Sequence, residues 1–582
     1  MNLSTTIKSI QDIMRKDDGV DGDAQRIGQL AWMLFLKVFD QCEEGWEEEA
    51  RDQGHTYQSP IPQDCRWRNW AAYKNGTAQV PANELIRYVK DTVFPGLQGL
   101  PDAHNPAAKV VREVFIDANN YMKSGTLMLG VVEKLDAAID FRDLKQRGQL
   151  GAIYEQILND LRSAGNAGEF YTPRAVTEFM VARVDPRLDK PETVLDPACG
   201  TGGFLTATIA HLAAQLTDQS GAIDRRAIAD RIRGMEKKQL PHLLCTTNLL
   251  LHGIEVPSMI EHGNTLARGW DDWHEYERVA CVITNPPFGG MEDDTVGAEY
   301  PLTTRETADL FMTLIVNKLL KADGGRAAVV LPDGFLFGDG IKAKIKDELL
   351  EKCHLHTVIR LPNGVFNPYT GIKTNLLFFT RGRPTDSIWF YEHRYPEGVR
   401  GYSKTKPLRV EELAPIANWW GKEADGFKGR VQTDQAWRLD FRTIKADAKA
   451  KAKPHWDESE RLNDEANGLN EQAKALRASI RGEQDPVQRQ PVENQVAALT
   501  AQMDRLRQQA KDAQAAGDRL YWPIYNLDLK NPNTPEAESH DPDKLLAKYR
   551  QLLTEIEQTQ NQLRDELEKA LVNRFGLEGF KS

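Results

Sequence analysis

The chain has 582 residues, 41% of them hydrophobic and 27% charged, with a formal net charge of -11. Such values suit a globular protein with a sizeable core and roughly three to four domains. The acidic surplus disfavours a protein that coats nucleic acid unaided, because neutralising phosphates takes a basic face.

The start, Met1-Asn2-Leu3-Ser4-Thr5-Thr6-Ile7, lacks an apolar signal core, and no stretch approaches the apolar length of a membrane span. Six cysteines, at 42, 65, 199, 245, 281 and 353, include no Cys-x-x-Cys pair, and the histidines are not clustered. A cytoplasmic protein without disulfides, a metal site or a membrane partner is therefore expected. In residues 1–150, Ile10, Ile13 and Met14, then Leu30, Met33, Leu34, Leu36, Val38 and Phe39, recur at helical spacing. Trp67, Trp70 and Tyr73 among prolines mark an irregular connection. This region carries no catalytic signature and reads as a helical domain.

From 151 to 440, helix-period segments alternate with short apolar runs at 193–196, 233–236, 279–284, 326–331, 357–361 and 375–380. The alternation predicts an α/β domain with a doubly wound, mainly parallel sheet, whose ligands sit at the carboxyl ends of the strands. Val194-Leu195-Asp196 feeds a small-residue loop, Pro197-Ala198-Cys199-Gly200-Thr201-Gly202-Gly203-Phe204, and then a helix. Glycines there let the backbone approach a ligand. The loop lacks the third glycine of the dinucleotide fingerprint and the Gly-Lys-Ser/Thr ending of a P-loop. Asp196 would repel phosphates but suits an amino- or sulfonium-bearing ligand. Glu236, ending the next strand, suits a pair of ribose hydroxyls, or is a surface carboxylate.

The run ending at Thr284 is followed by Asn285-Pro286-Pro287-Phe288. Prolines stop the strand and donate nothing, so their carbonyls can accept. With the Asn285 amide oxygen and the flat Phe288 ring, these residues suit an exocyclic amino group on an aromatic base. An ordinary Asn-Pro turn is the plainer alternative.

Residues 441–582 read as a C-terminal helical region. Leu462, Ala466, Leu469, Ala473, Leu476 and Ile480, then Val492, Val496, Leu499, Met503, Leu506, Ala510 and Ala513, step by fours and threes around a Pro-bearing stretch, 481–491. An antiparallel coiled-coil hairpin over 457–515 is expected. Lys445, Lys449, Lys451 and Lys453 before it read as a solvated helix face or linker. A third pattern, Leu545, Tyr549, Leu552, Ile556, Leu563, Leu567 and Leu571, either packs on itself or docks a partner's helices.

Taken together, Asp-Pro-Ala-Cys-Gly-Thr-Gly-Gly-Phe at 196–204 and Asn-Pro-Pro-Phe at 285–288 resemble the S-adenosyl-L-methionine-dependent amino-methyltransferases of DNA adenine. Gly168-Glu169-Phe170-Tyr171-Thr172-Pro173-Arg174 precedes both, which resembles the gamma order of motifs. More specifically the chain resembles the modification subunit of a type I restriction–modification system. The likeness runs through Leu30–Lys37, Val330–Phe337, Gly371–Phe379 and Tyr525–Pro532.

The resemblance implies a Rossmann-like methyltransferase fold flanked by the helical regions. It implies a cofactor pocket of Asp196, Ala198, Gly200, Thr201, Gly202, Gly203 and Phe204, with Phe170, Tyr171 and Thr172 closing it and Glu236 on the ribose. Asn264, Thr265 and Leu266 match the segment at the cofactor's adenine, where the family often has aspartate. Asp309, Leu310 and Phe311 match the pocket between cofactor and base, and Asn285, Pro286, Pro287 and Phe288 the grip on the target. It also implies DNA, a specificity subunit, a second copy of the chain and, by analogy, a restriction subunit as partners. Target adenine would be flipped from the duplex for direct methyl transfer to N6, with no cysteine nucleophile. Cytosine N4, a protein glutamine, an RNA base or a non-enzymatic scaffold are the alternatives to adenine chemistry.

Overall fold

Nine strands form the central sheet of the computed structural model: Val194–Asp196 (β1), Ile232–Glu236 (β2), Ile260–His262 (β3), Cys281–Thr284 (β4), Arg326–Pro332 (β5), Cys353–Arg360 (β6), Thr374–Arg381 (β7), Ile388–Glu392 (β8) and Ala436–Leu439 (β9). All residues are described except 1–2, 75–76, 102–104, 117, 143, 162–170, 217–226, 368–369, 404, 534–541 and 576–582. The strand order is β9-β8-β6-β7-β5-β4-β1-β2-β3. Five neighbouring pairs are parallel, and the antiparallel ones all involve β7 or β9.

Burial on both faces explains why the central strands read as unbroken apolar runs. In β5, Ala327, Val329 and Leu331 enter one core while Ala328 and Val330 enter the other. The first core is closed by the helices Thr307–Leu314 and Ile341–Lys352, the second by Arg174–Val184 and the segment 413–420. Each fully buried Val or Leu contributes about 1.5–3 kcal/mol. All six expected strands form. The three unexpected ones, β3, β8 and β9, are only three to five residues long and lie at the two edges of the sheet or next to them, where one neighbour supplies less burial.

The N-terminal part is helical, as read. Its longest element, Asp23–Asp52, is buried from Arg26 to Glu43, with Trp32 set edge-on against Phe94 and Phe115. That core continues onto Leu243, Leu244, Leu250 and Leu251 of the helix Gln239–Leu251, so the bundle braces the sheet end bearing β2 and β3.

The helices Phe441–Ser479 and Pro486–Tyr521 pair along their length. Ala448, Ala452, Ser459, Leu462, Ala466 and Ala473 form the buried seam, and Ser459 Oγ donates to the Ala510 carbonyl (2.8 Å). The first helix starts earlier than expected. Lys445, read as a solvated face or linker residue, donates to Asp347 and Glu351 and anchors the helix to the body. The turn is also tighter: Asp485 caps the second helix, Pro486 fills its first position, where no amide donor is needed, and Pro491 lies inside it. The segment 525–531 then returns to the sheet: Tyr525 donates to Asp347, and Arg360 binds the Asp528 carboxylate and the Leu529 carbonyl. Met1–Asn531 forms one compact unit and Pro532–Ser582 another, the latter built on the helix Pro542–Phe575.

Candidate active site

At the carboxyl end of β1 the chain must leave a buried strand, turn, and start a helix within seven residues. Gly200 (φ 54°) and Gly202 (φ 81°) make that possible by taking left-handed backbone. A side chain at Gly202 would also lie 2.8 Å from Cys245 Sγ. Gly202→Ala is therefore expected to lower stability by about 1–2 kcal/mol from backbone strain alone, read as a shifted urea midpoint at unchanged slope.

The turn is held from the neighbouring strands. Gly200 N–H donates to Glu236 Oε2 (2.9 Å), Lys238 N–H donates to Glu236 Oε1 (2.7 Å), and Thr265 Oγ1 donates to the Pro197 carbonyl (2.6 Å). Asp196 is 1% exposed. Its Oδ1 accepts from Thr284 Oγ1 (2.7 Å) and Ala198 N–H (3.2 Å), while Oδ2 is buried without a partner among the described residues. Burial lifts its pKa to about 7; the bonds from Thr284 and Ala198 pull the other way, and the nearby Glu236 charge adds to the rise.

Thr284 ends β4 and is followed by Asn285, so the Asp196–Thr284 bond locks the two strand ends side by side. Asn285 Nδ2 donates to Thr172 Oγ1 (3.1 Å), and its Oδ1 is a second buried acceptor with no partner among the described residues. Of the two proline carbonyls expected to accept, that of Pro287 already takes Thr307 Oγ1 (2.8 Å). Phe288 is half-buried at the border of one core.

A cavity of about 300 Å³, of the size that holds small ligands, joins these strand ends. Its wall includes Thr172, Asp196, Ala198, Gly200, Gly203, Phe204, Glu236, Asn264, Thr265, Asn285, Pro287 and Phe288. The expected residues Gly202, Leu266 and Pro286 are not on that wall; Gly202 shapes the turn behind it, and Pro286 is buried. Tyr171 and Thr201 line a smaller neighbouring cavity that shares Thr172 and Gly203. Phe170 lies outside the described residues. Phe311 is on the wall, whereas Asp309 is held off it in an ion pair with Lys342 (2.7 Å).

Sequence reasoning passed over Thr284, Thr307, Lys237 and Glu292. The last two lie on the wall as an ion pair (2.9 Å). Residues 55 apart in the chain leave no local pattern to find. The thiols behave as small apolar groups: burial pushes Cys281 up to about 12, and Cys199 is raised by its bond to Cys245 and by burial.

The parallel sheet, the glycine turn closing β1 and the Asn-Pro-Pro-Phe corner after β4 define a Rossmann-like methyltransferase fold. The chain matches the N-6 DNA Methylase family model over residues 145–464 and the HsdM N-terminal domain model over residues 3–135. It is 48% identical over 580 residues to the type I restriction enzyme EcoEI methylase subunit of Escherichia coli, covering 99% of this chain and 100% of that one. It belongs to the family of type I restriction enzyme methylase subunits. A crystal structure of a modification subunit assigned to a type I restriction enzyme of Vibrio vulnificus YJ016 is similar, with a TM-score of 0.65 at 41% identity over 76% of this chain and 92% of that one. A chain solved in work on complex assembly and conformational transition of the type I R-M system gives a TM-score of 0.69 at 29% identity, covering 100% of this chain and 99% of that one.

Proposed function

We propose that this cavity binds S-adenosyl-L-methionine together with an adenine flipped out of DNA, and that the chain methylates that adenine at N6. When bound, S-adenosyl-L-methionine supplies a methyl group on a sulfonium sulfur, open to attack by an amine. The observation that carries the reading is the pair of orphaned acceptors, Asp196 Oδ2 and Asn285 Oδ1, on strand ends locked together by one hydrogen bond. A buried acceptor left without a donor costs about 1–3 kcal/mol, so each calls for a donor from a ligand. The residues fit the two partners: a carboxylate suits a cationic ligand, and an amide oxygen beside a carbonyl suits an –NH₂.

Thr172 orients the Asn285 amide so that its oxygen is left for the target. With the Pro287 carbonyl engaged, the second acceptor is the carbonyl of Pro286. Two acceptors on one amino group aim its lone pair, and Phe288 stacks on the base; base stacking on an aromatic ring is worth about 1–3 kcal/mol. Positioning and electrostatics carry the rate. Glu236 holds the ribose, and Gly200, Gly202 and Gly203 keep the backbone close. Residues 1–150, 151–440 and 441–582 divide the work into bracing, chemistry and assembly. A separate specificity subunit chooses the DNA site, with a second copy of this chain and a restriction subunit in the full assembly. Among the described residues no helix is long and apolar enough to cross a membrane, and DNA modification places the work in the cytoplasm.

The test is mass spectrometry of DNA nucleosides after co-expression with the specificity subunit. N6-methyladenine is the expected product; N4-methylcytosine, or label entering only protein, overturns the reading.

A pH dependence follows from Asp196. Its pKa is raised in the fold, so folding favours the protonated form, and its contribution to stability is lost as pH rises through about 7. A cationic ligand prefers the ionised form. Affinity for S-adenosyl-L-methionine, measured by calorimetry, is expected to fall about fivefold from pH 7 to pH 6, as the ionised fraction of a group with a pKa of about 7 does. In Asp196→Asn the affinity should be weaker and flat with pH; a flat wild-type profile removes Asp196 from the site.

A further inference from the structure

We infer that Glu292, four residues beyond Phe288, reads the 6-amino group of the cofactor's adenine. This deepens the cofactor reading above and rests on it. The family resemblance puts Asn264 at that edge, but here the Asn264 amide is engaged at both ends. Its Oδ1 accepts from Leu266 N–H (3.1 Å), capping the turn Thr265–Ala267, and its Nδ2 donates to Glu292 Oε2 (3.0 Å). Glu292 Oε2 is thereby filled by Asn264 and Lys237, while Oε1 accepts from Lys237 alone and keeps a lone pair to offer.

Glu292 is built into the wall. Its side chain is 8% exposed, and Lys237 Nζ donates to both carboxylate oxygens (2.9 and 3.0 Å). The backbone is fixed as well: Glu292 N–H donates to the Arg305 carbonyl (2.9 Å), and Arg305 Nε donates to the Glu292 carbonyl (3.0 Å). A carboxylate held on side chain and main chain is preorganised, and the lysine offsets the cost of burying its charge.

Its place on the sheet gives the assignment. Along the carboxyl edge the neighbours run β4, β1, β2, β3, so Asn285, Asp196, Glu236 and Asn264 follow one another in that order. Glu292 is bonded to Asn264, one strand beyond the ribose acceptor Glu236. A base joined to a ribose held at β2 points away from the methyl-transfer site, toward β3. A carboxylate can only accept, so it favours a purine with an amino group at position 6 and disfavours one with a carbonyl there.

The test is calorimetric titration of the full-length chain with S-adenosylhomocysteine and with S-inosylhomocysteine, which differ at position 6 of the purine. Wild-type protein is expected to prefer the adenosyl compound about 10- to 100-fold, the range of one hydrogen bond to a charged group. In Glu292→Gln the amide can turn its oxygen to a 6-amino group or its NH₂ to a 6-carbonyl, and the preference should shrink to within about threefold. A role confined to holding Lys237 and the loop would weaken both compounds alike and leave the ratio unchanged, which overturns the inference. So does a wild-type protein that binds both equally, whatever the variant's stability. Binding of neither compound by wild type sinks the cofactor reading itself and is distinguishable from both.

Discussion

Replacing Asn285 with alanine is expected to cut methyl transfer about 100- to 1,000-fold and to leave affinity for S-adenosyl-L-methionine within about threefold. Asn285 Oδ1 is a buried acceptor with no partner among the described residues, and the Thr172 contact fixes which end of the amide faces the target. On the proposed reading, removing it takes away an acceptor for the target amine and leaves the Asp196–Thr284 tie and the glycine turn in place. The loss should therefore appear in single-turnover rate rather than in cofactor binding. Half-burial of the residue keeps the stability cost small. Phe288→Ala, which loses stacking alone, should fall about 10- to 100-fold, and Phe288→Trp should restore much of that. An Asn285→Ala enzyme within threefold of wild-type rate would remove the amine grip from the mechanism.

Deleting residues 542–582 is expected to abolish co-purification with the specificity subunit while cofactor binding and the thermal melt of the remaining body persist. The helix Pro542–Phe575 exposes Tyr549, Leu552, Ile556, Leu563 and Leu567 at three-, four- and seven-residue steps, each 47–70% exposed. Fully burying one exposed Leu or Ile gains about 1.5–3 kcal/mol, so these half-exposed side chains together offer roughly 4–9 kcal/mol toward docking a partner. Heptad spacing of this kind matches a partner's helices. Met1–Asn531 forms its own compact unit, which is why the shortened chain should still fold. Co-purification at wild-type yield would place the docking surface elsewhere.

Most of the fold was legible because its signals are local. The runs ending at Asp196 and Thr284 are continuous apolar segments, the run ending at Glu236 is mixed (Ile232-Arg233-Gly234-Met235), and all three are strands feeding the cavity. The hairpin could be read from its step of three and four, since each helix need only know its own apolar face. Errors came where a distant partner sets the boundary, as with Lys445, whose helix begins early because Asp347 and Glu351 receive it.

The site divides in the same way. Asp196, Glu236, Asn285 and Phe288 stand at strand ends and in motifs whose chemistry shows without coordinates. Their wiring does not. That Thr284 ties Asp196 to the Asn285 corner, that Thr307 occupies the Pro287 carbonyl, and that Asn264 donates to Glu292 all depend on residues 20 to 88 apart meeting in space. The linear chain by itself determined the fold class, the motif order and the family likeness, because strand length, turn chemistry and apolar period act between near neighbours. Only the tertiary structure decided which polar atoms are already satisfied and which are left for ligands. A buried hydrogen bond is a balance struck between particular groups at about 3 Å, and no spacing in the chain encodes who stands opposite.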